Sequence, residues 1–159
     1  MPKQKAIWIQ VTEFNDIAAQ LKERYPEVFS ELEVDELIAW AVSNKSRPEK
    51  KKKFYEISAP PEPESFTNEK KVIVKYFKDD WENATEQQKQ WLVFEAMARV
   101  DTEADPVKIR PLDYQGLSLI LRTAGLNWET NPSLPDLIRD KIDFHIEEDL
   151  GEEEDPDEP

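Results

Sequence analysis

Chemistry at a protein site needs a nucleophile, a proton carrier or a set of metal ligands, and this chain is short of all of these except carboxylates. It holds one histidine, His145, and no cysteine. Thiolate nucleophiles, disulfides and thiolate zinc sites are excluded, and a centre of three imidazoles cannot be built. Acids are plentiful, 35 against 21 bases. Yet runs such as Asp79-Asp80 and Glu147-Glu148-Asp149 are neighbours in sequence, whereas a glycosidase pair needs two acids held across a cleft at a set separation. With three glycines in all, a phosphate-cradling glycine loop is not expected. Residues 44–53 carry six bases and one acid. They could touch phosphates, but a solvated loop is the favoured reading, because no aromatic side chain interleaves the run for base stacking. His145, beside Phe144, reads as an ordinary helix residue.

The elements that must position any site follow from periodicity. Ile7-Trp8-Ile9-Gln10-Val11 reads as a short first strand or an extended lead-in. Thr12 can cap a helix to about Tyr25, with Phe14, Ile17, Ala18 and Leu21 on one face and Pro26 as its stop. Residues 37–42 are nearly continuously apolar and predict a strand buried on both faces. Residues 54–58 predict a second short strand, and the proline-rich stretch 59–64 cannot enter a sheet interior. Residues 72–77, β-branched and aromatic, predict another strand. Thr85-Glu86-Gln87-Gln88 has the form of a capping box opening a helix through Trp91, Leu92, Phe94, Met97 and Ala98. Asp113 can cap a further helix with Leu117, Ile120, Leu121 and Ala124 inward and Gly125 at its end. Ser133 and Pro135 predict a last helix, to about residue 146. The order implies an α+β domain with a small mixed sheet and helices packed mainly on one side, spanning residues 1–146.

Residues 72–128 resemble the zincin-like metallopeptidases of phage and prophage genomes. The shared layout is a strand (Val72-Ile73-Val74), an acid and a tryptophan (Asp80-Trp81), the capped helix at Thr85, a polar loop, and an Asp-headed helix (Asp113) ending in Gly125-Leu126-Asn127-Trp128. With the upstream strand and basic loop, the resemblance covers about residues 32–128. In that family the capped helix carries H-E-x-x-H, whose two histidines bind zinc from one helical face while the glutamate polarises the zinc-bound water. A third histidine commonly precedes the Asp of the next helix. In this chain the corresponding segment is Phe94-Glu95-Ala96-Met97-Ala98. The resemblance implies that Phe94, Ala98 and Leu112 stand at the three ligand positions, all apolar, and that Glu95 alone is kept. It therefore implies a zincin-like fold with no metal, no cofactor and no catalytic residue beyond a vestigial Glu95: a pseudoenzyme.

The chain has 159 residues, enough for one domain with a substantial core. Its hydrophobic fraction of 38% is low, so part of it is expected outside that core. Net charge is −14, and nine acids without a base fall in residues 147–159, leaving −5 for the rest. That segment predicts a disordered acidic tail. No stretch approaches the ~20 apolar residues of a membrane span, and the start has no secretory signal pattern. A soluble cytoplasmic setting is expected, the host cytoplasm if phage-encoded. The acidity argues against direct nucleic acid or membrane binding and for a protein partner, such as a basic nucleic-acid-binding protein. Candidate contacts are Glu147, Glu148, Asp149, Glu152, Glu153, Glu154 and Asp155. The leading expectation is a non-catalytic binding protein, in its sharpest form an inhibitor of a host nucleic-acid-handling or CRISPR-type defence enzyme acting as a DNA mimic. The alternative is a structural or assembly component of a larger complex. The sequence leaves the oligomeric state open.

Overall fold

β-branched and aromatic residues pair where they were expected to. A computed structural model describes residues 7–43, 55–103, 107–111, 118–125, 128–131 and 133–144. Strands β1 (Trp8–Gln10), β2 (Leu37–Val42), β3 (Tyr55–Ser58) and β4 (Val72–Phe77) form one mixed sheet in the order β1-β2-β4-β3. The central pair is parallel, from Leu37 beside Val72 to Val42 beside Phe77. Both outer strands run antiparallel to their neighbours.

Side chains alternate across a strand, and the alternation shows which face is covered. Leu37, Ala39 and Ala41 of β2 and Val72, Val74 and Tyr76 of β4 are buried, while Ile38, Trp40, Ile73 and Lys75 are half-buried. The continuous apolar run 37–42 is thus not a strand buried on both faces. Its second set of side chains lies on a partly open face.

The covered face receives the helices. Helix α1 (Thr12–Arg24) buries Phe14, Ile17, Ala18 and Leu21. Its cap is Val11 with no side-chain bond, so Thr12 lies inside the first turn and not at the cap. Pro26, incompatible with continuing α1, opens the short α2 (Pro26–Phe29). A single turn, α3 (Glu64–Thr67), follows the proline-rich stretch. Helix α4 (Lys78–Asn83) continues directly from β4 and sets Trp81 against Tyr76, with ring centroids 4.5 Å apart.

Helix α5 (Glu86–Ala98) is the centre of the core. Its capping box is complete: the Gln88 N–H donates to Thr85 Oγ1 at 3.1 Å, and the Thr85 N–H donates to Gln88 Oε1 at 2.8 Å. Every residue from Gln90 to Met97 is buried, as expected of a helix covered all round. Thr85→Ala should lower stability by about 1 kcal/mol, read as a shift in the urea midpoint with the slope unchanged.

Beyond α5, β5 (Val100–Asp101) pairs antiparallel with β6 (Lys108–Ile109). Helix α6 (Ser118–Ala124) ends at Gly125, whose φ of 87° is left-handed and whose N–H donates to the Leu121 carbonyl at 2.9 Å. The predicted cap Asp113 and Leu117 lie outside the described residues, as do the tail 147–159 and His145.

The helix predicted from Ser133 is replaced by an irregular strap. A single turn forms at Asp136 and not at Ser133: Asp136 Oδ1 accepts the N–H groups of Ile138 and Arg139, and the Asp140 N–H reaches the Asp136 carbonyl at 2.9 Å. The turn then stops because the core claims the backbone. The Leu137 N–H donates to Gln90 Oε1 at 2.7 Å, and the Ile142 N–H donates to the Tyr25 hydroxyl at 2.8 Å. Tyr25 in turn donates to the Leu137 carbonyl at 2.9 Å, and the Trp91 indole N–H donates to the Pro135 carbonyl at 2.9 Å. Among the described residues no helix is long and apolar enough to cross a membrane.

Candidate functional site

The last turn of α5 carries the residues that the sequence singles out. A spacing of four places Phe94 and Ala98 on one face of the helix. Phe94 is fully buried. Its ring centroid lies 5.6 Å from Tyr25 and 5.0 Å from Phe29, both edge-on, and 4.7 Å from Phe144, stacked at 26°. Three elements therefore meet on Phe94: the junction of α1 and α2, α5 itself, and the end of the strap. Ala98 is half-buried against the same core. Leu112 lies outside the described residues.

Glu95 turns toward the sheet instead. It is 2% exposed, and its Oε1 accepts the Tyr55 hydroxyl of β3 at 2.7 Å. Arg99, one turn further along, donates from Nη1 to that same hydroxyl at 3.4 Å, and its guanidinium carbon lies 5.8 Å from the Tyr55 ring centroid. Arg99 is itself held by Nε donating to the Arg110 carbonyl at 2.9 Å. Tyr76 of β4 stands beside Tyr55 with ring centroids 5.8 Å apart. Burial pushes both tyrosine hydroxyls well above their ordinary range. The Glu95 charge adds to the rise at each, and Arg99 opposes it at Tyr55.

These side chains do not suit a zinc ion. Zinc takes nitrogen, oxygen or sulfur donors at about 2.0–2.3 Å, and Phe94 and Ala98 offer hydrocarbon. Glu95 is engaged with Tyr55, on a different side of the helix from the Phe94 cluster. Among the described residues no group of three or more His, Cys, Asp or Glu side chains could hold a metal ion. One side of α5 is closed by aromatic rings, with Phe94 stacked on Phe144, and the other by a buried carboxylate–phenol–guanidinium chain in which Glu95 Oε1 accepts the Tyr55 hydroxyl.

The fold and this helix define an α+β protein built around a capped helix, buried from Gln90 to Met97, in which a glutamate sits between two apolar positions one turn apart. Residues 6–140 match the family described as "Putative phage metallopeptidase". That match takes in most of the chain, and the protein belongs to this family. It reaches beyond residues 32–128, upstream through α1 and β1 and downstream into the strap. Neither the curated proteins nor the solved structures returned a match.

Sequence reasoning placed Glu95 but not its partners. Tyr55 falls in the strand expected over residues 54–58 with no role at a site, and Arg99 carries no expected role. Phe144 was assigned to a helix. The available signal was compositional: a chain with 10% aromatic residues and a buried glutamate needs hydroxyl or cationic donors. Which ones, however, depends on strand order. The tail acids Glu147, Glu148, Asp149, Glu152, Glu153, Glu154 and Asp155 lie outside the described residues.

Proposed function

We propose that this member of the family is a non-catalytic, zincin-like protein that binds another macromolecule and does not hydrolyse peptides. The observation that carries the reading is Phe94, stacked on Phe144 at 4.7 Å; the resemblance puts it and Ala98 at the two histidine positions of the H-E-x-x-H helix. A ring that fully enclosed leaves no place for a metal-bound water. Glu95, without a metal to activate that water, holds Tyr55 instead.

The proposed partner is a basic protein that handles nucleic acid in the host cytoplasm, with the acidic surface and tail standing in for phosphates. The support is the charge: −14 overall, with nine acids in residues 147–159. A nuclease or a CRISPR-type effector fits that chemistry. A docking component of a larger assembly uses the same scaffold without the mimicry.

Two measurements on the full chain test the reading. Elemental analysis after dialysis should find no stoichiometric zinc, and incubation with unfolded casein should release no peptides. One zinc per chain together with proteolysis would overturn the pseudoenzyme reading. For the partner, inhibition of a purified host nuclease should weaken steeply with salt and on removal of residues 147–159. Inhibition indifferent to both would remove the mimicry.

A further inference from the structure

The parallel pair at the centre of the sheet starts level, with Leu37 beside Val72, and a pocket of about 80 Å³ opens at that end. Burial grades its lining from floor to mouth. Leu32, Leu37, Val72 and Val100 are buried and Val107 is half-buried, so the floor is hydrocarbon. Glu31 and Glu33 are exposed and Glu36 is half-buried, so three carboxylates stand toward the mouth. The walls come from the chain between α2 and β2, the start of β4, and the segment around β5 and β6.

Nearby lysines do not neutralise those acids. Lys71 lines the pocket, yet its Nζ donates to the Ser65 carbonyl at 2.8 Å. Its neighbour Lys70 donates from Nζ to the Asp35 carbonyl at 2.7 Å. Glu31, Glu33 and Glu36 form no ion pair with a described residue. With Lys71 counted, the lining still carries an excess of two negative charges. Carboxylates gathered at one mouth repel one another, and the apolar floor beneath them is unfavourable to leave in water. A hydrocarbon chain ending in a cation relieves both.

Resting on the reading above, in which the partner is a basic protein, we infer that this pocket seats one lysine side chain of that partner. The butyl stem lies on the hydrocarbon floor and the ammonium sits among Glu31, Glu33 and Glu36. Lysine stems pack on apolar surface in this way while the charged head stays at the mouth. Size agrees: about 80 Å³ is well below the ~300 Å³ of small-molecule sites and suits a slender, unbranched stem. The head group agrees too. An ammonium turns its three donors to separate acceptors, whereas the planar guanidinium of arginine needs two acceptors side by side. The contact is on the folded domain and calls on none of the acids in residues 147–159.

Titrating the methyl-labelled full chain with N-acetyl-lysine methylamide tests this by NMR. The methyl signals of Leu32, Val72, Val100 and Val107 should move and saturate together. N-acetyl-norleucine methylamide, which has the stem without the ammonium, should bind about 10-fold more weakly. The double variant Glu33→Gln, Glu36→Gln, with its fold checked by circular dichroism, should lose about 10-fold for the lysine probe and nothing for the norleucine probe. The comparison of the two probes on the parent decides even if the variant does not fold. No saturating shift, saturation at other methyls, or equal binding of the two probes overturns the proposal, as does a folded variant that binds lysine like the parent. Nuclease inhibition separates the pocket from the binding role. Inhibition undiminished in the folded variant would remove the pocket and keep that role, whereas lysine seated in a parent that inhibits no nuclease would keep the pocket and remove the nuclease as partner.

Discussion

Phe94→His is expected to cost about 3–5 kcal/mol of folding stability. Phe94 is wholly buried and sits between three rings at 4.7–5.6 Å. Losing those aromatic contacts removes about 0.5–1.5 kcal/mol for each well-formed pair. The smaller imidazole leaves a gap that the cluster only partly closes. Its ring N–H is also buried with no acceptor in an all-aromatic surround, at a further cost of about 1–3 kcal/mol. Denaturant melts at pH 7 read the loss. A change below about 1 kcal/mol would show that the Phe94–Phe144 stack does not hold the strap to α5. The combined variant Phe94→His, Ala98→His and Leu112→His probes ancestry. If the helix keeps zincin geometry, zinc should raise the melting temperature of the folded triple variant and leave the parent unmoved. A folded triple variant that responds to zinc as the parent does would remove the zincin relation.

The contrast between Phe94 and Glu95 shows how far the sequence could be read. Local rules act over one turn, and they sufficed for the Thr85–Gln88 box, the apolar face of α1 and the Gly125 stop. Strand existence was also local: residues 37–42, 55–58 and 72–77 carry their β preference in their own side chains. What failed depended on contacts remote in sequence. Ser133 and Pro135 signal a helix start, but only one turn forms, at Asp136, and Gln90 and Tyr25, 47 and 117 residues from the donors, accept the N–H groups of Leu137 and Ile142. The two-residue β5 and β6 are too short to carry a period. At the site, the lack of donor atoms at Phe94 and Ala98 is legible, since hydrocarbon there is a property of residue type. The bond to Glu95 is not, because Tyr55 reaches Glu95 only after β3 pairs outside β4.

Above pH 10 the protein should lose stability by about 3 kcal/mol per pH unit, and Tyr76→Phe should reduce that slope by about half. Tyr25, Tyr55 and Tyr76 all have hydroxyls raised above their ordinary value of 10.0, chiefly by burial. The Glu95 charge pushes Tyr55 and Tyr76 further in the same direction. In the unfolded chain each releases its proton near pH 10, whereas in the fold Tyr55 and Tyr76 keep theirs. The folded state then holds more protons than the unfolded one, so stability falls as pH rises. Below pH 10 both states are protonated and these groups contribute no slope. Each retained proton is worth about 1.4 kcal/mol per pH unit, and a domain stabilised by about 5–15 kcal/mol cannot sustain two of them for long. Tyr76 separates this effect from packing. Its hydroxyl is buried and makes no hydrogen bond to a described residue, so Tyr76→Phe should be neutral at pH 7 or stabilise by up to about 1 kcal/mol. Tyr55→Phe removes the same titration but also strips Glu95 of its 2.7 Å donor, and should cost about 1.5–3 kcal/mol at pH 7. Equilibrium urea unfolding at pH 7, 10 and 11, with tyrosinate absorbance followed in parallel, reads both terms. If Tyr76→Phe leaves the alkaline slope unchanged, Tyr76 ionises in the folded protein, and the enclosed chain from Glu95 through Tyr55 to Arg99 is open to water.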